Sequence, residues 1–121
     1  MQFKAAVAAN CAAEQGKFWA MHQRLFAHQD ELSPKDLLQH AKALSLDSSK
    51  FTRCLDSEAL AAKVRNELAE GQKAGVKVTP TFFLALTEPN SPKITVQKKI
   101  VGAKPYNDFK QAIDSLLSTQ R

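Results

Sequence analysis

Glycine and proline are scarce in this chain, at 4 and 5 of 121 residues, and cysteine occurs only twice. These low counts exclude a collagen-like repeat, a Gly/Pro-rich low-complexity segment and a small disulfide-dense scaffold. No apolar run approaches the roughly 18 to 20 residues that a membrane-spanning helix needs. There is no glycine-rich phosphate loop, no nucleophile elbow and no internal repeat. What the chain does have is 44% hydrophobic and 24% charged residues, which is ordinary for a folded globular domain and too apolar for disorder. Its length fits one domain, 1–121, able to remove roughly two-thirds of its unfolded surface from water.

Charge excludes less. The net charge of +5 permits an acidic partner without requiring one. The basic residues are spread along the chain, and the nearest approach to a cluster is Lys93, Lys98, Lys99 and Lys104, with only Tyr106 as a neighbouring aromatic. This reads as a solvated face, so no nucleic-acid partner is expected. The apolar N-terminal stretch Ala5–Ala9 is shorter than the roughly 7 to 15 residues of a signal core. Phe3, Val7 and Cys11 recur at helical spacing instead, so the segment is expected to be an amphipathic helix, not an export signal.

Cys11 and Cys54 are 43 positions apart, which is neither a Cys-x-x-Cys nor a zinc ligand set. Their spacing leaves three readings open: buried small apolar residues, a structural disulfide, or reactive thiols. His22, His28 and His40 lack the i, i+4 spacing of helical ligands, and no metal and no cofactor are expected.

The first three-fifths read as helix after helix. Phe3 to about Gln15 is followed after Gly16 by Lys17 to about His28, with Phe18, Trp19, His22, Leu25 and Phe26 on one broad face. Phe18 and Trp19 are expected to anchor the core. Ser33-Pro34-Lys35-Asp36 starts the next helix, which presents Leu37, Leu38, Ala41 and Leu44. Asp47 can cap a short helix burying Phe51, Cys54 and Leu55. After Ser57, Leu60, Ala61, Val64, Leu68 and Gly71 mark the inner face of a long helix ending near Ala74-Gly75.

The period then changes. Thr81–Leu86 is a short, continuous apolar run and reads as a strand covered on both faces. A turn cluster, 87–93, leads to Ile94–Val101, where Ile94, Val96 and Ile100 should face one way and Thr95, Gln97 and Lys99 the other. Lys98 and Lys99 suit an edge strand that repels intruding strands. Pro105 can open a last helix with a stripe of Tyr106, Phe109, Ile113, Leu116 and Leu117. A two-stranded sheet is marginal in water, so a strand as apolar as Phe82-Phe83-Leu84 lacks the neighbours it calls for. Pro80 directly before that strand admits either a trans proline that starts it or a cis bond that turns the chain and leaves the Thr79 backbone exposed.

Val78-Thr79-Pro80-Thr81-Phe82-Phe83 leading into a hairpin, followed by Ile100-Val101-Gly102-Ala103-Lys104-Pro105-Tyr106, resembles the C-terminal part of the DsbA-like thioredoxin-fold proteins. Cys11-Ala12-Ala13-Glu14-Gln15-Gly16-Lys17-Phe18-Trp19 with Met21-His22, and Cys54-Leu55-Asp56-Ser57, is similar to the helical insert of that family. The resemblance covers essentially the whole chain. It implies a helix-rich α/β, partial thioredoxin-like fold: a helical insertion subdomain of about five helices over 1–75, then an antiparallel β-hairpin and a C-terminal helix over 76–121. It implies that Pro80 is cis and that Val78, Thr79 and Pro80 line the site for an extended substrate. It also suggests that Cys11 and Cys54 form a second, non-catalytic pair.

The implied activity is thiol–disulfide exchange on protein or peptide substrates that carry cysteines, in a periplasmic or exported setting. Were Met1 the true start, the location would instead be cytoplasmic. Members of the family place a strand, a Cys-x-x-Cys helix and another strand ahead of the matching region, and the 121 residues contain no Cys-x-x-Cys. The chain alone is therefore expected to be inactive as a dithiol oxidoreductase, with no catalytic residue of its own. The competing expectation is a binding module whose strand Thr81–Leu86 pairs with a client peptide or, by dimerisation or domain swapping, with a second copy.

Overall fold

A computed structural model describes residues 2–119 and shows six helices and a two-stranded antiparallel sheet among them. The helices are α1 (Gln2–Glu14), α2 (Phe18–Ala27), α3 (Pro34–Ala43), α4 (Ser48–Leu55), α5 (Glu58–Lys73) and α6 (Tyr106–Ser118). The strands, β1 (Thr81–Ala85) and β2 (Val96–Val101), lie between α5 and α6. This is the helix-rich α/β order expected from the change of period. The chain divides into two compact units, Met1–Glu70 and Gly71–Arg121, and the division falls within α5.

The helical unit is built around α1, which packs against α2, α3 and α4. Val7, Ala8, Cys11 and Ala12 of α1 are buried against Met21, Leu37, Ala41 and Phe51. Alanine at 8 and 12 has no side chain beyond Cβ, so neighbouring helices can approach the α1 backbone closely. Local chemistry fixes the helix starts. Ser33 Oγ accepts from the Asp36 amide at 3.2 Å, and Asp36 Oδ2 accepts in return from the Ser33 amide at 3.3 Å, a complete capping box. Asp47 Oδ1 accepts from the Lys50 amide at 2.9 Å. Gln15 pairs with Asp47 in both directions, donating to its carbonyl at 3.2 Å and accepting from its amide at 2.8 Å, which ties the end of α1 to the start of α4. Lysines meet carbonyls at two helix C-termini, Lys17 on Leu44 at 2.6 Å and Lys4 on Leu55 at 2.9 Å, where the dipole favours a cation.

Two expectations for this unit are overturned. Trp19 is 70% exposed and Phe26 is also exposed, so Trp19 does not anchor the core. The buried positions of α2 are Met21 and Leu25, with Phe18 partly buried alongside, a spacing of 18, 21 and 25. Trp19 and Phe26 each follow a core position by one residue and sit about 100° farther round the helix. The apolar arc is wider than the surface that covers it. On α5, Leu68 is likewise exposed, and Val64 is the buried position.

In the second unit β1 and β2 pair through Thr81↔Val101, Phe82↔Ile100, Phe83↔Lys99 and Leu84↔Lys98, then Ala85↔Val96, with a register shift between Leu84 and Ala85. Gln97 is thus an extra residue on β2, a bulge that inverts the phase of the strand. The expected common face of Val96 and Ile100 does not exist, because Val96 shares its face with Lys99 and Val101. Ile94 lies outside the strand and is exposed.

One face of the hairpin, with Phe82, Leu84, Lys98 and Ile100, receives α6: Phe82 meets Phe109 edge-on at 4.9 Å, and Lys98 Nζ donates to Ser115 Oγ at 3.2 Å. Of the α6 stripe, Leu116 is buried, whereas Tyr106, Ile113 and Leu117 are exposed. Cover on both faces of β1 is not found either, since Phe82 and Phe83 are 40% and 39% exposed. On Phe83's side the Lys99 ammonium lies 5.9 Å from the ring centre and donates to the Gly75 carbonyl at 3.2 Å. Lys99 is therefore engaged within the unit and is not simply a guard on an edge.

Candidate functional site

Val78, Thr79 and Pro80 form a short exposed segment immediately before β1. Two hydrogen bonds hold it. Thr81 Oγ1 donates to the Val78 carbonyl at 2.6 Å, and the Gly102 amide donates to the Pro80 carbonyl at 2.7 Å. Gly102 makes the second bond from φ 90°, a left-handed conformation that glycine adopts without a Cβ penalty. The Thr79–Pro80 peptide bond is cis, as the resemblance implied. Among the described residues Thr79 makes no backbone hydrogen bond, and it is an exposed residue next to the start of β1, which has one partner strand among them. An exposed donor and acceptor on one residue, flanked by a half-exposed valine and a proline, can pair with the backbone of one extended residue of another chain.

Cys11 and Cys54 are joined by a disulfide, with Cα atoms 5.7 Å apart. The bond links α1 to α4, on whose inner sides the two cysteines stand. It leaves no free cysteine in the chain. Cys11 is 1% exposed and Cys54 is partly exposed. A cleft of about 560 Å³ beside the disulfide is lined by Cys11, Glu14, Gln15, Lys50, Arg53 and Cys54. Sequence reasoning did not single out the polar residues of this cleft. Their signal was present, since Glu14 and Gln15 follow Cys11 by three and four positions and Lys50 precedes Cys54 by four.

The histidines do not converge as a set. His28 and His40 stack at 5.3 Å, whereas His22 packs among Phe18, Trp19 and Phe26. Both ring nitrogens of His40 are engaged, Nδ1 by the Arg24 Nε donor at 2.9 Å and Nε2 with the Glu31 carbonyl at 2.9 Å. No group of three His, Cys, Asp or Glu able to hold a metal occurs among the described residues. No helix among them is long and apolar enough to cross a membrane. An apolar groove of about 550 Å³ beside α2, lined in part by Phe18, His22 and Phe26, contains no cysteine and lies apart from the disulfide cleft.

A helical unit followed by a proline-led hairpin and a closing helix defines a thioredoxin-like class of domain. The family model described as Thioredoxin matches residues 2–115, and the chain belongs to that family. Among curated proteins it is similar to Na(+)/H(+) antiporter NhaA 3 of Salinispora tropica, at 46% identity over 80 residues, covering 66% of this chain and 12% of that protein. Na(+)/H(+) antiporter NhaA 1 of Salinispora arenicola is 42% identical over 80 residues, 66% of this chain and 12% of that protein. The NhaA antiporter of Herminiimonas arsenicoxydans is 39% identical over 80 residues, 66% of this chain and 13% of that protein. The chain thus spans only about an eighth of the length of the curated relatives it matches. No solved structure matches it significantly.

Proposed function

We propose that this chain is the substrate-side part of a DsbA-like thiol–disulfide oxidoreductase module, which binds extended, cysteine-containing peptide segments through Val78, Thr79 and Pro80. The observation that carries the reading is the exposed Thr79 backbone, whose donor and acceptor are unused while the residues on either side are pinned by the Val78–Thr81 and Pro80–Gly102 bonds. A pre-positioned backbone donor and acceptor lowers the ordering cost of capturing an extended peptide. The family supports thiol–disulfide chemistry as the context. In this chain both cysteines are bound to each other and no Cys-x-x-Cys exists, so the reading assigns it recognition without turnover of its own. The relatives' antiporter names do not extend the reading to ion transport, because the shared segment makes up only 12% to 14% of those proteins. It is compatible with a module of this type being joined to a larger protein.

The test is a titration of the isotope-labelled chain with an unstructured cysteine-containing peptide. Amide shifts should be largest at Thr79 and Thr81, and the same chain should show no catalysed reduction of insulin. Shifts confined to the helical unit, or robust insulin turnover, would refute the proposal.

A second reading rests on the hairpin. Among the described residues β1 has one partner strand and no second neighbour on its outer edge, and Phe83, Val96 and Val101 are exposed on the face away from α6. Such an edge can add a strand from a second copy. Concentration-dependent sedimentation that Phe83→Lys abolishes would favour self-association, and a monomer at high micromolar concentration would exclude it.

A further inference from the structure

The Cys11–Cys54 cleft has features that a purely structural staple does not need. Its two cysteines are unequally buried. Cys11 is buried among Val7, Ala8 and Ala12, whereas Cys54 is partly exposed at the mouth. Thiol–disulfide exchange proceeds by attack of a thiolate on one sulfur, with the other leaving, so access decides which sulfur is attacked. Cys54 is the less buried of the two and so the favoured point of attack.

The cleft also carries charge. Lys50 and Arg53 line it and are exposed, with no carboxylate in ion-pair range among the described residues. Glu14 is the one acidic side chain in the lining, leaving a net positive mouth. Unpaired cations beside a disulfide attract an anionic thiol and stabilise the thiolate that attacks.

We propose that Cys54 is a site of S-thiolation by a low-molecular-weight thiol bearing carboxylates, of which the tripeptide glutathione is the test case. The incoming thiol loses its proton to solvent, and its thiolate attacks Cys54 Sγ. The Cys11–Cys54 bond breaks as the mixed disulfide on Cys54 forms. Cys11 Sγ leaves with the electron pair as a thiolate and takes a proton from water. One disulfide is exchanged for another, so no separate oxidant is consumed. The exchange removes the covalent link between α4 and α1 and makes the helical unit responsive to the surrounding thiol pool. The site is separate from Val78–Pro80 and does not depend on peptide binding there.

The experiment uses the intact oxidised chain. It is incubated with reduced glutathione, quenched in acid, alkylated and mapped by mass spectrometry. Glutathione should be found on Cys54 and the alkyl group on Cys11. The comparison thiol is glutathione diethyl ester, which keeps the thiol and removes both carboxylate charges.

The net positive mouth should give glutathione a several-fold rate advantage over the ester at low salt. That advantage should vanish at high salt and reverse in the Lys50→Glu, Arg53→Glu double variant. In a second arm, Cys11→Ala and Cys54→Ala are each treated with oxidised glutathione. Cys54 should react at least about ten-fold faster than the buried Cys11, as expected for an exposed over a buried thiol. An adduct on Cys11, no adduct at all, or equal rates for the acid and the ester would overturn the proposal. The wild-type arm needs no variant to fold.

Discussion

His40 is a buried polar side chain in the helical unit, and its environment assigns its tautomer. Arg24 Nε can only donate, so Nδ1 accepts and Nε2 carries the hydrogen that goes to the Glu31 carbonyl. Nitrogen-detected NMR of the ring should show the Nε2–H form. Replacement by leucine, which fills the volume and makes neither bond, should cost about 1 to 3 kcal/mol in urea denaturation, because the partly buried Arg24 and the Glu31 carbonyl lose their hydrogen bonds. Nothing in the sequence pointed to this role, since Arg24 and Glu31 lie 16 and 9 positions from His40. At the surface, Lys110 donates to Asp114 Oδ2 at 2.8 Å across one turn of α6. That hydrogen bond, and then the carboxylate charge, raise the Lys110 pKa above the ordinary lysine value. A raised lysine pKa favours the folded state fully below the unfolded value and loses that contribution as pH rises through the folded one. Asp114→Asn should return the Lys110 titration, followed by NMR at its Cε, toward the ordinary value.

At the scale of elements, helix starts were legible because their determinants are three residues long. Ser33, Pro34 and Asp36 sit where the capping box forms, and Asp47 caps α4. Ser33→Ala should lower stability by about 1 kcal/mol, read from thermal unfolding, whereas Ser33→Asp should retain most of it. Faces were less legible than boundaries. The apolar arc of α2 spans Phe18 to Phe26, but the pattern cannot say how much of an arc a neighbour covers, and Trp19 is left 70% exposed. In β2 a two-residue period predicted one face for Ile94, Val96 and Ile100, interrupted by Lys98, and one bulged residue, Gln97, puts Val96 and Ile100 on opposite faces. A bulge answers to the partner strand, so a single strand's alternation carries no trace of it.

At the scale of the whole molecule, the disulfide closes 43 residues of helical chain onto α1. In the chain-entropy account a loop of that size is worth about 4 kcal/mol, so reduction, or Cys54→Ala, should lower the thermal midpoint of the helical unit by many degrees. Near-ultraviolet circular dichroism with and without reductant measures it, and an unchanged midpoint would show that the helices hold without the link. Local unfolding of each compact unit can be followed by hydrogen exchange. The order of elements, the capped helix starts and the proline-led hairpin were all readable from residue order, because propensity, capping and turn chemistry act within a few positions of the chain. The family resemblance was readable too, as Val78–Phe83 and Ile100–Tyr106 are contiguous strings, and residues 2–115 match the thioredoxin family. The pairing of Cys11 with Cys54, the exposure of Trp19, the engagement of His40 and the cationic cleft were not settled by local order. Each depends on which distant surfaces meet, and burial and charge proximity are properties of packed space, not of sequence separation.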